Sequence, residues 1–339
     1  MNKGIACLGN MIVDVIKKID AYPELGNLAS ITDVTCATGG LVPNCLLDLA
    51  KMDPSLPLEA AGLVGRDDYG DYVVNALSAA GIDIRHIGRH PSQPTSYTDV
   101  MSCGRDRSFF HCRGANAAFG PEHIPLDDLA ADILHFGYIL LLDALDAPDP
   151  DSGTVLAGVL AQARAMGFKT SIDVVSEQGS RFARCVTPSL RHTDYCVINE
   201  VEAAAVTGIT CRDAAGKLLL DRMEPICEAL LAFGVGQWAV VHCPEGSFAA
   251  DAQSYWCKPS LALPQSDIKG KTGAGDAFCA GILYSASQDM ALPEALELAT
   301  AAAAASLTET SACGGLRPIK QLYQLIDKYG FHKDWSELC

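Results

Sequence analysis

Short apolar runs alternate with amphipathic helical patterns along most of this chain. Strands with helices between them predict a βαβ order, in which a mostly parallel sheet carries helices on both faces. The pattern therefore indicates an α/β fold. The apolar runs that read as strands cover residues 5–9, 60–64, 133–137, 170–174, 195–199 and 238–242.

The helical segments carry recognisable start and stop signals. After Ser152, apolar residues recur at the three- and four-residue spacing of one helix face, and Gly167 lies just past the last of them. Further helices are predicted over residues 43–52, 68–80, 216–233, 275–287 and 293–307.

Two stretches interrupt this order, residues 11–36 and 95–113, and each contains strand-like segments with no helix between them. Small strands of this kind project from the main sheet, so we expect a β-sheet lid over its carboxyl edge, where ligands bind in such folds. Residues 103–107 read as the turn of a hairpin in this lid. With no repeats or linkers, residues 1–339 are expected to form one domain with a discontinuous lid.

Composition limits the classes of function. The chain has 339 residues, 49% of them hydrophobic, which is enough for a large core. Its net charge of −16, without a run of Lys or Arg, argues against nucleic acid as a partner. No apolar run approaches the roughly 20 residues of a membrane span, and the first is too short for a secretion signal. We therefore expect a cytoplasmic protein that is not bound to a membrane.

The fourteen cysteines are scattered through apolar segments such as 6–8 and 278–280. No pair has the two-to-four-residue spacing that marks a zinc site. We interpret them as reduced core residues, with a catalytic or redox cysteine as the alternative.

The strongest chemical signal is segment 270–278, which reads Gly-Lys-Thr-Gly-Ala-Gly-Asp-Ala-Phe. Gly273, Ala274 and Gly275 carry almost no side chain, so their N–H groups can surround an anion at a helix N-terminus. Asp276 lies within reach of that anion, where a carboxylate makes chemical sense as the base that takes a proton from an attacking hydroxyl. The segment predicts a phosphoryl-transfer site, and an ordinary Asp-capped helix start is the alternative.

The residues Gly270, Lys271 and Thr272 imitate the end of a nucleotide-binding P-loop. That motif needs another glycine five residues before its Gly-Lys pair, and the position holds Gln265. The P-loop is therefore excluded, and Lys271 needs another explanation.

The amino-terminal part offers groups that suit a polyol. Asp14 lies just beyond the first strand, and Gly39 and Gly40 precede a helix that contains Asn44. A carboxylate can accept hydrogen bonds from two hydroxyls, glycines let the backbone approach a ring, and an amide both donates and accepts. The alternatives are a solvated turn aspartate and a capping glycine pair. Farther along, Asn199 and Glu202 follow a strand and can organise Mg²⁺ through water.

Together these segments resemble the ribokinase-like sugar kinases, also called the PfkB carbohydrate kinases, over about residues 5–316. The most specific match is 272–278, and 62–70 is another typical stretch. The resemblance implies a ribokinase-like three-layer α/β/α sandwich with a mostly parallel central sheet and a small β-sheet lid. It also implies a homodimer formed through that lid.

The matches to the family, together with the chemistry of the residues themselves, suggest roles for individual residues. Gly273, Ala274 and Gly275 would form the anion hole, and Asp276 would be the catalytic base. Glu202 would hold Mg²⁺ through water. The residues assigned to the acceptor are Asp14, Gly39, Gly40, Asn44, Phe110 and Asn116. The residues assigned to the nucleotide are Asn199, Glu202, His242, Gly246, Lys271 and Thr272.

Two departures from the family pattern affect what carries over. Family members usually have Asp-Thr where this chain has Gly270 and Lys271, and that aspartate often supports a monovalent-cation site, so the resemblance gives no support for K⁺ activation here. We hypothesise that Lys271 supplies a fixed positive charge near the phosphates instead. In the nucleotide loop, the usual Thr-x-Gly is replaced by residues 242–244, while Gly246 is retained.

The sequence therefore predicts an ATP-dependent, Mg²⁺-dependent kinase acting on a primary hydroxyl of a small ketose or pentose. Two alternatives stay open. A nucleoside kinase of the same family would use Phe109 and Phe110 on the lid to stack a base. A non-catalytic sugar-binding regulator would have kept the fold alone, although the intact segment 272–276 argues against it. A phosphorylated sugar as substrate would require an extra cation in the sugar pocket, and Arg105, Arg107 or Arg113 could provide it.

Overall fold

The computed structural model describes residues 4–104, 106–176, 179 and 181–333. Its strands are β1 (Ile5–Gly9), β2 (Ile12–Ile19), β3 (Ile31–Gly39), β4 (Leu58–Val64), β5 (Asp83–Arg89), β6 (Tyr97–Cys103), β7 (Asp106–Cys112), β8 (Ile133–Ile139), β9 (Pro148–Asp149), β10 (Gly153–Thr154), β11 (Lys169–Val174), β12 (Tyr195–Asn199), β13 (Trp238–Cys243), β14 (Gly246–Ala250) and β15 (Tyr255–Pro259). Its helices are α1 (Leu41–Met52), α2 (Asp68–Ala79), α3 (Val155–Ala165), α4 (Phe182–Leu190), α5 (Glu200–Thr207), α6 (Met223–Ala232), α7 (Ala274–Ser287), α8 (Leu292–Ser306) and α9 (Ile319–Tyr329).

A nine-stranded sheet forms the centre, in the order β15-β14-β13-β12-β11-β8-β1-β4-β5. β14 and β15 run antiparallel to their neighbours, and the other pairs are parallel. All six strands predicted from the sequence belong to this sheet. The predicted α/β fold with a mostly parallel sheet is therefore confirmed.

Helices cover both faces of the sheet, because successive residues of a parallel strand bury their side chains on opposite sides. In β1, Cys7 contributes to one core and Leu8 to the other. The first core is closed by α1, α2, α7, α8 and α9, and the second by α3, α4, α5 and α6. The sheet is thus the middle of three layers.

The helix predicted over 216–233 is shorter than expected. Its α-helical part begins at Met223, after a short 3₁₀ turn. Gly216 has a positive φ of 80°, and the Lys217 N–H donates to the Asp213 side chain in a tight turn. A turn that needs a left-handed glycine cannot be part of an α-helix.

The two interrupting stretches form a separate four-stranded sheet in the order β3-β2-β6-β7. β6 and β7 pair as an antiparallel hairpin up to Cys103 and Asp106, which confirms the predicted turn. Arg105, named as a candidate cation, lies outside the described residues.

Among the described residues, the interpretation of the cysteines as reduced core residues holds in part: seven free cysteines are buried, four are partly buried and Cys36 is exposed. Twelve are free thiols, whereas Cys257 is disulfide-bonded. Cys257 belongs to β15, the last strand at one edge of the central sheet, where a side chain is more accessible to another segment than in the sheet interior. None of the helices in the described ranges is long and apolar enough to cross a membrane.

The close contact between α7 and α8 requires a glycine at position 281, and unfolding experiments can test this requirement. A Cβ atom added at Gly281 would lie 2.5 Å from the Ala299 Cα. We expect Gly281→Ala to lower the free energy of unfolding by about 1–3 kcal/mol, because backbone must move to make room. The measurement is urea unfolding followed by circular dichroism.

The matched control is Gly158→Ala, another glycine inside a helix. Its nearest neighbour would be the Ser152 Oγ at 3.1 Å, which can rotate away. This variant should stay within about 1 kcal/mol of the wild type. Equal stabilities for the two variants would contradict the proposed close packing.

Candidate active site

Asp276 lies on the first turn of α7, at the carboxyl edge of the central sheet, with 7% of its surface exposed. Its two carboxylate oxygens accept hydrogen bonds from different elements. Asn44 of α1 donates through Nδ2 to Oδ2 at 2.9 Å, and the hydroxyl of Tyr138, in β8, donates to Oδ1. The carboxylate is therefore held in one orientation by three elements that are far apart in sequence.

The backbone before Asp276 has the geometry of an anion hole. Gly273 is the N-cap of α7, with a left-handed φ of 81°. A Cβ atom there would lie 2.6 Å from the backbone of Ala312, so a side chain is excluded. The N–H groups at the start of α7 have no acceptor within the helix and lie at its positive end. An anion bound there would also be close to the carboxylate of Asp276.

Burial gives Asp276 an acid–base character that an exposed aspartate lacks. Desolvation raises its pKa to about 7, while the hydrogen bonds from Tyr138 and Asn44 act in the opposite direction. The charge of Asp14 adds a smaller upward effect. A carboxylate with a pKa near neutrality is suited to accept a proton at ordinary pH.

Tyr138 is a site residue that sequence reasoning missed. Burial, then the charges of Asp276 and Asp173, raise the pKa of its hydroxyl well above the usual value. The hydroxyl therefore stays protonated and donates. Its place at the carboxyl end of a central strand was the available signal, because ligand-binding groups in such folds gather there.

Asp14 and the glycine pair meet beside this carboxylate. A Cβ atom at Gly39 would lie 2.5 Å from the Asp14 Oδ2, so the glycine leaves room for the carboxylate. Gly40 has a φ of 85° and is the N-cap of α1, the helix that carries Asn44. Burial raises the pKa of Asp14 to about 6. The structure thus brings Asp14, both glycines, Asn44 and Asp276 together.

Strand alternation decides which lid residues share a face with Asp14. Asp14 lies beside Thr98 in the sheet, Thr98 lies opposite His111, and their side chains hydrogen-bond at 3.0 Å. By the two-residue period of a strand, Phe109 is on that same face. Phe110 is on the opposite face, opposite Asp99, so the structure does not bring it to Asp14.

Asn116 stabilises the backbone next to the site. It is fully buried, its Oδ1 accepts from the Met11 N–H at 3.2 Å, and its Nδ2 donates to the Met11 carbonyl at 3.0 Å. Both polar groups are thus used on the turn that leads from β1 to Asp14. In this arrangement Asn116 positions the loop instead of facing the cavity.

A cavity of about 510 Å³ opens on the other side of the α7 N-terminus. Its lining includes four of the six residues assigned to the nucleotide, together with part of the alanine-rich segment 300–305 of α8: Asn199, His242, Gly246, Lys271, Thr300, Ala303 and Ala304. The alanine side chains make a flat wall, while Ala299 of the same helix packs against Gly281. The segment therefore serves both packing and the cavity.

The cavity has a neutral imidazole and a free ammonium group on its lining. Burial lowers the pKa of His242 to about 4, and its ring lies against Phe278 with centroids 5.1 Å apart. Lys271 has no ion-pair partner among the carboxylates of the described chain.

A second acidic group lies at the N-terminus of α5. Asn199 caps this helix, and Glu202 accepts from the Asn199 N–H at 3.0 Å and from Ser176 Oγ at 2.7 Å. Burial raises the pKa of Glu202 to about 7. The pKa of Asp173 is raised by burial and by the charges of Glu202 and Asp276. Asp173 and Glu202 are therefore buried carboxylates whose charges influence each other, and carboxylate oxygens are ligands that Mg²⁺ prefers.

Replacing Tyr138 tests the proton affinity of the site. A hydrogen bond donated to a carboxylate stabilises its charged form, so Tyr138→Phe should raise the pKa of Asp276 above about 7. The measurement is a ¹³C NMR titration of labelled aspartate. Tyr195→Phe is the control, since Tyr195 packs against Trp238 and should leave the titration unchanged. An unchanged or lower midpoint in Tyr138→Phe would refute the assignment.

Comparisons with known proteins identify the family and the fold. Residues 2–319 match the family model described as pfkB family carbohydrate kinase. Fructoselysine 6-kinase of Shigella flexneri is 26% identical over 307 residues, covering 90% of this chain and 97% of that protein.

Solved structures share the fold. Arabidopsis thaliana ribokinase complexed with ribose and ATP has a TM-score of 0.77 at 22% identity, covering 96% of this chain and 99% of that one. A solved Escherichia coli structure with ATP and Mg²⁺ has a TM-score of 0.77 at 17% identity, covering 96% and 100%. Because the family model matches residues 2–319 of the 339 in this chain, the chain belongs to the pfkB family of carbohydrate kinases.

Proposed function

We propose that this carbohydrate kinase transfers the γ-phosphoryl group of ATP to a primary hydroxyl of a small free sugar, a ketose or a pentose. The observation that carries the proposal is Asp276, a buried carboxylate with a pKa of about 7. It lies beside the free N–H groups of Gly273–Gly275 and is oriented by Asn44 and Tyr138.

Each group has a defined task in the transfer. The acceptor hydroxyl gives its proton to Asp276 as its oxygen attacks the γ-phosphorus, and the bond from that phosphorus to the leaving ADP oxygen breaks. The amides at the start of α7 hold the charge of the transferred group without reorganisation. Mg²⁺, when bound near Asp173 and Glu202, supplies charge that neutralises phosphate oxygens. The closed lid keeps out water that would otherwise hydrolyse ATP.

The acceptor class is inferred from Asp14 and its neighbours. A carboxylate beside two glycines accepts hydrogen bonds from adjacent hydroxyls of a sugar. The similarity to fructoselysine 6-kinase and to a ribokinase solved with ribose supports a furanose-forming ketose or pentose.

One observation favours a nucleoside as the second candidate acceptor. Phe109 shares the lid face of Asp14 and is 65% exposed. An exposed aromatic ring above a polyol site can stack on a base. The third candidate, a non-catalytic regulator, is disfavoured because the carboxylate of Asp276 is costly to bury and gives a mere binder no advantage.

The lid also supports self-association. Ile31 and Val34 of β3 are 51% and 52% exposed, and apolar side chains on an outer strand favour pairing with a second copy. We therefore propose a homodimer through the lid.

The function is tested by ADP release from Mg·ATP across free ketoses, aldoses, sugar phosphates and nucleosides. We expect turnover with a free sugar, falling about tenfold per pH unit below about pH 7 as Asp276 becomes protonated. Asp276→Asn should reduce turnover by at least about 10²-fold with little change in sugar binding.

The outcomes separate the candidates. Turnover with nucleosides alone would select the second candidate. Sugar binding by calorimetry without turnover would select the regulator. Near-normal turnover of Asp276→Asn would exclude Asp276 as the base.

Lys271 provides a separate test of the nucleotide side. As an unpaired ammonium group on the cavity lining, it should attract the phosphates, and Lys271→Ala should raise the KM for ATP about tenfold, equivalent to about 1.4 kcal/mol. The control is Lys269→Ala, since Lys269 is two residues away and pairs with Glu309 at 3.2 Å. Unchanged ATP kinetics in Lys271→Ala would refute this role.

A further inference from the structure

The lid reaches the phosphate-binding loop through one arginine. Arg107 of β7 donates from Nη1 to the Thr272 Oγ1 at 3.0 Å, across 165 positions of sequence. Within residues 4–104, 106–176, 179 and 181–333, no carboxylate forms an ion pair with Arg107. The lid therefore brings an uncompensated positive charge to the loop that begins α7.

The position of this guanidinium follows from the strand register. Arg107 lies two residues before Phe109, so it belongs to the lid face that carries Asp14. Thr272 directly precedes Gly273, the N-cap of α7. Arg107 therefore shares a lid face with Asp14, and its guanidinium contacts the residue directly before the start of α7.

The reaction needs a positive charge at that position. The transferred phosphoryl group carries its charge on three equatorial oxygens, and the carboxylate of Asp276 beside it is repulsive. His242 is neutral because its pKa is about 4, and Lys271 lines the nucleotide cavity. A guanidinium that uses one donor on Thr272 retains further N–H groups in a planar fork that matches phosphate oxygens.

We propose that Arg107 binds the phosphoryl group during its transfer, so that the lid completes the anion hole when it closes. The proposal rests on the proposed kinase function and adds a catalytic residue to it. The hydrogen bond to Thr272 positions the side chain, and the remaining N–H groups of the guanidinium donate to the phosphoryl oxygens.

This role predicts a specific kinetic pattern. Arg107→Ala should lower kcat by on the order of 10²–10³-fold, because donors that act on the transition state affect turnover more than ground-state binding. The KM of the acceptor and the affinity for ADP should change by less than about threefold. Arg107→Lys should recover only part of the loss, since an ammonium group cannot make the bidentate contact.

The control is Arg85→Ala, which also removes the positive charge of an exposed arginine. Arg85 lies on β5 and pairs with Asp83. This variant should leave turnover unchanged. Thermal unfolding of all three variants checks folding, and Arg107 is an exposed residue whose loss should not affect it.

Two further measurements distinguish direct contact from a structural effect of the lid. Millimolar guanidinium should restore part of the turnover of Arg107→Ala and none in Asp276→Asn. Calorimetry with Mg·ADP, aluminium fluoride and the acceptor should show at least tenfold weaker binding to Arg107→Ala, with binding of Mg·ADP alone unchanged.

A change confined to the acceptor KM would make Arg107 an acceptor-binding residue and overturn the proposal. Turnover equal to that of Arg85→Ala would overturn it as well. If the wild type transfers no phosphoryl group to any acceptor, the proposed function fails instead. Failure of the Arg107 proposal is distinguishable from this, because it requires a wild type that turns over and an Arg107→Ala variant that binds the aluminium fluoride complex as tightly as the wild type.

Discussion

The burial of one negative charge at Asp276 is the constraint on which the site depends. A carboxylate taken out of water is costly unless donors surround it. Asn44 and Tyr138 supply two hydrogen bonds, and the start of α7 supplies a positive dipole. These groups come from α1, β8 and α7, so the three elements must keep their relative positions for the carboxylate to be tolerated. The incomplete compensation leaves its pKa at about 7, which is the property a general base needs.

Acidic groups dominate the surroundings of that carboxylate. Asp14, Asp173 and Glu202 are all largely buried, and burial raises the pKa of each. A site of this kind repels a triphosphate unless cations arrive with it or close over it. In our proposal the cations come from three directions: a divalent ion at the carboxylates, Lys271 on the nucleotide side and Arg107 on the lid. Such a division makes phosphate binding depend on lid closure, which limits hydrolysis of ATP in the absence of an acceptor.

The arrangement of the candidate site follows from residue order in some places and not in others. The glycine-rich segment before Asp276 is contiguous, and its backbone donors and carboxylate work over a single helix turn, so its chemistry can be read from residue order. Asp14, Gly39 and Asn44 could be placed together because strand ends and helix starts meet at one sheet edge. Tyr138 could not, since its contact with Asp276 spans 138 positions. The sequence also does not show that Phe109, and not Phe110, shares a face with Asp14, since the face of each residue depends on the register of β7 with β6.

By itself, the sequence determined the α/β order, the interrupted lid segments and the glycine-rich turn before Asp276, because each follows from local periodicity or from glycines at fixed spacing. Its one long-helix error, over 216–233, arose where Gly216 adopts a left-handed turn that overrides the helical pattern. Tertiary structure alone decided the hydrogen-bond partners of the Asp276 carboxylate, the hydrogen bonds of Asn116 to the Met11 backbone and the contact of Arg107 with Thr272. These are contacts between distant segments, and only the packing of the sheet, helices and lid brings the atoms within hydrogen-bonding distance.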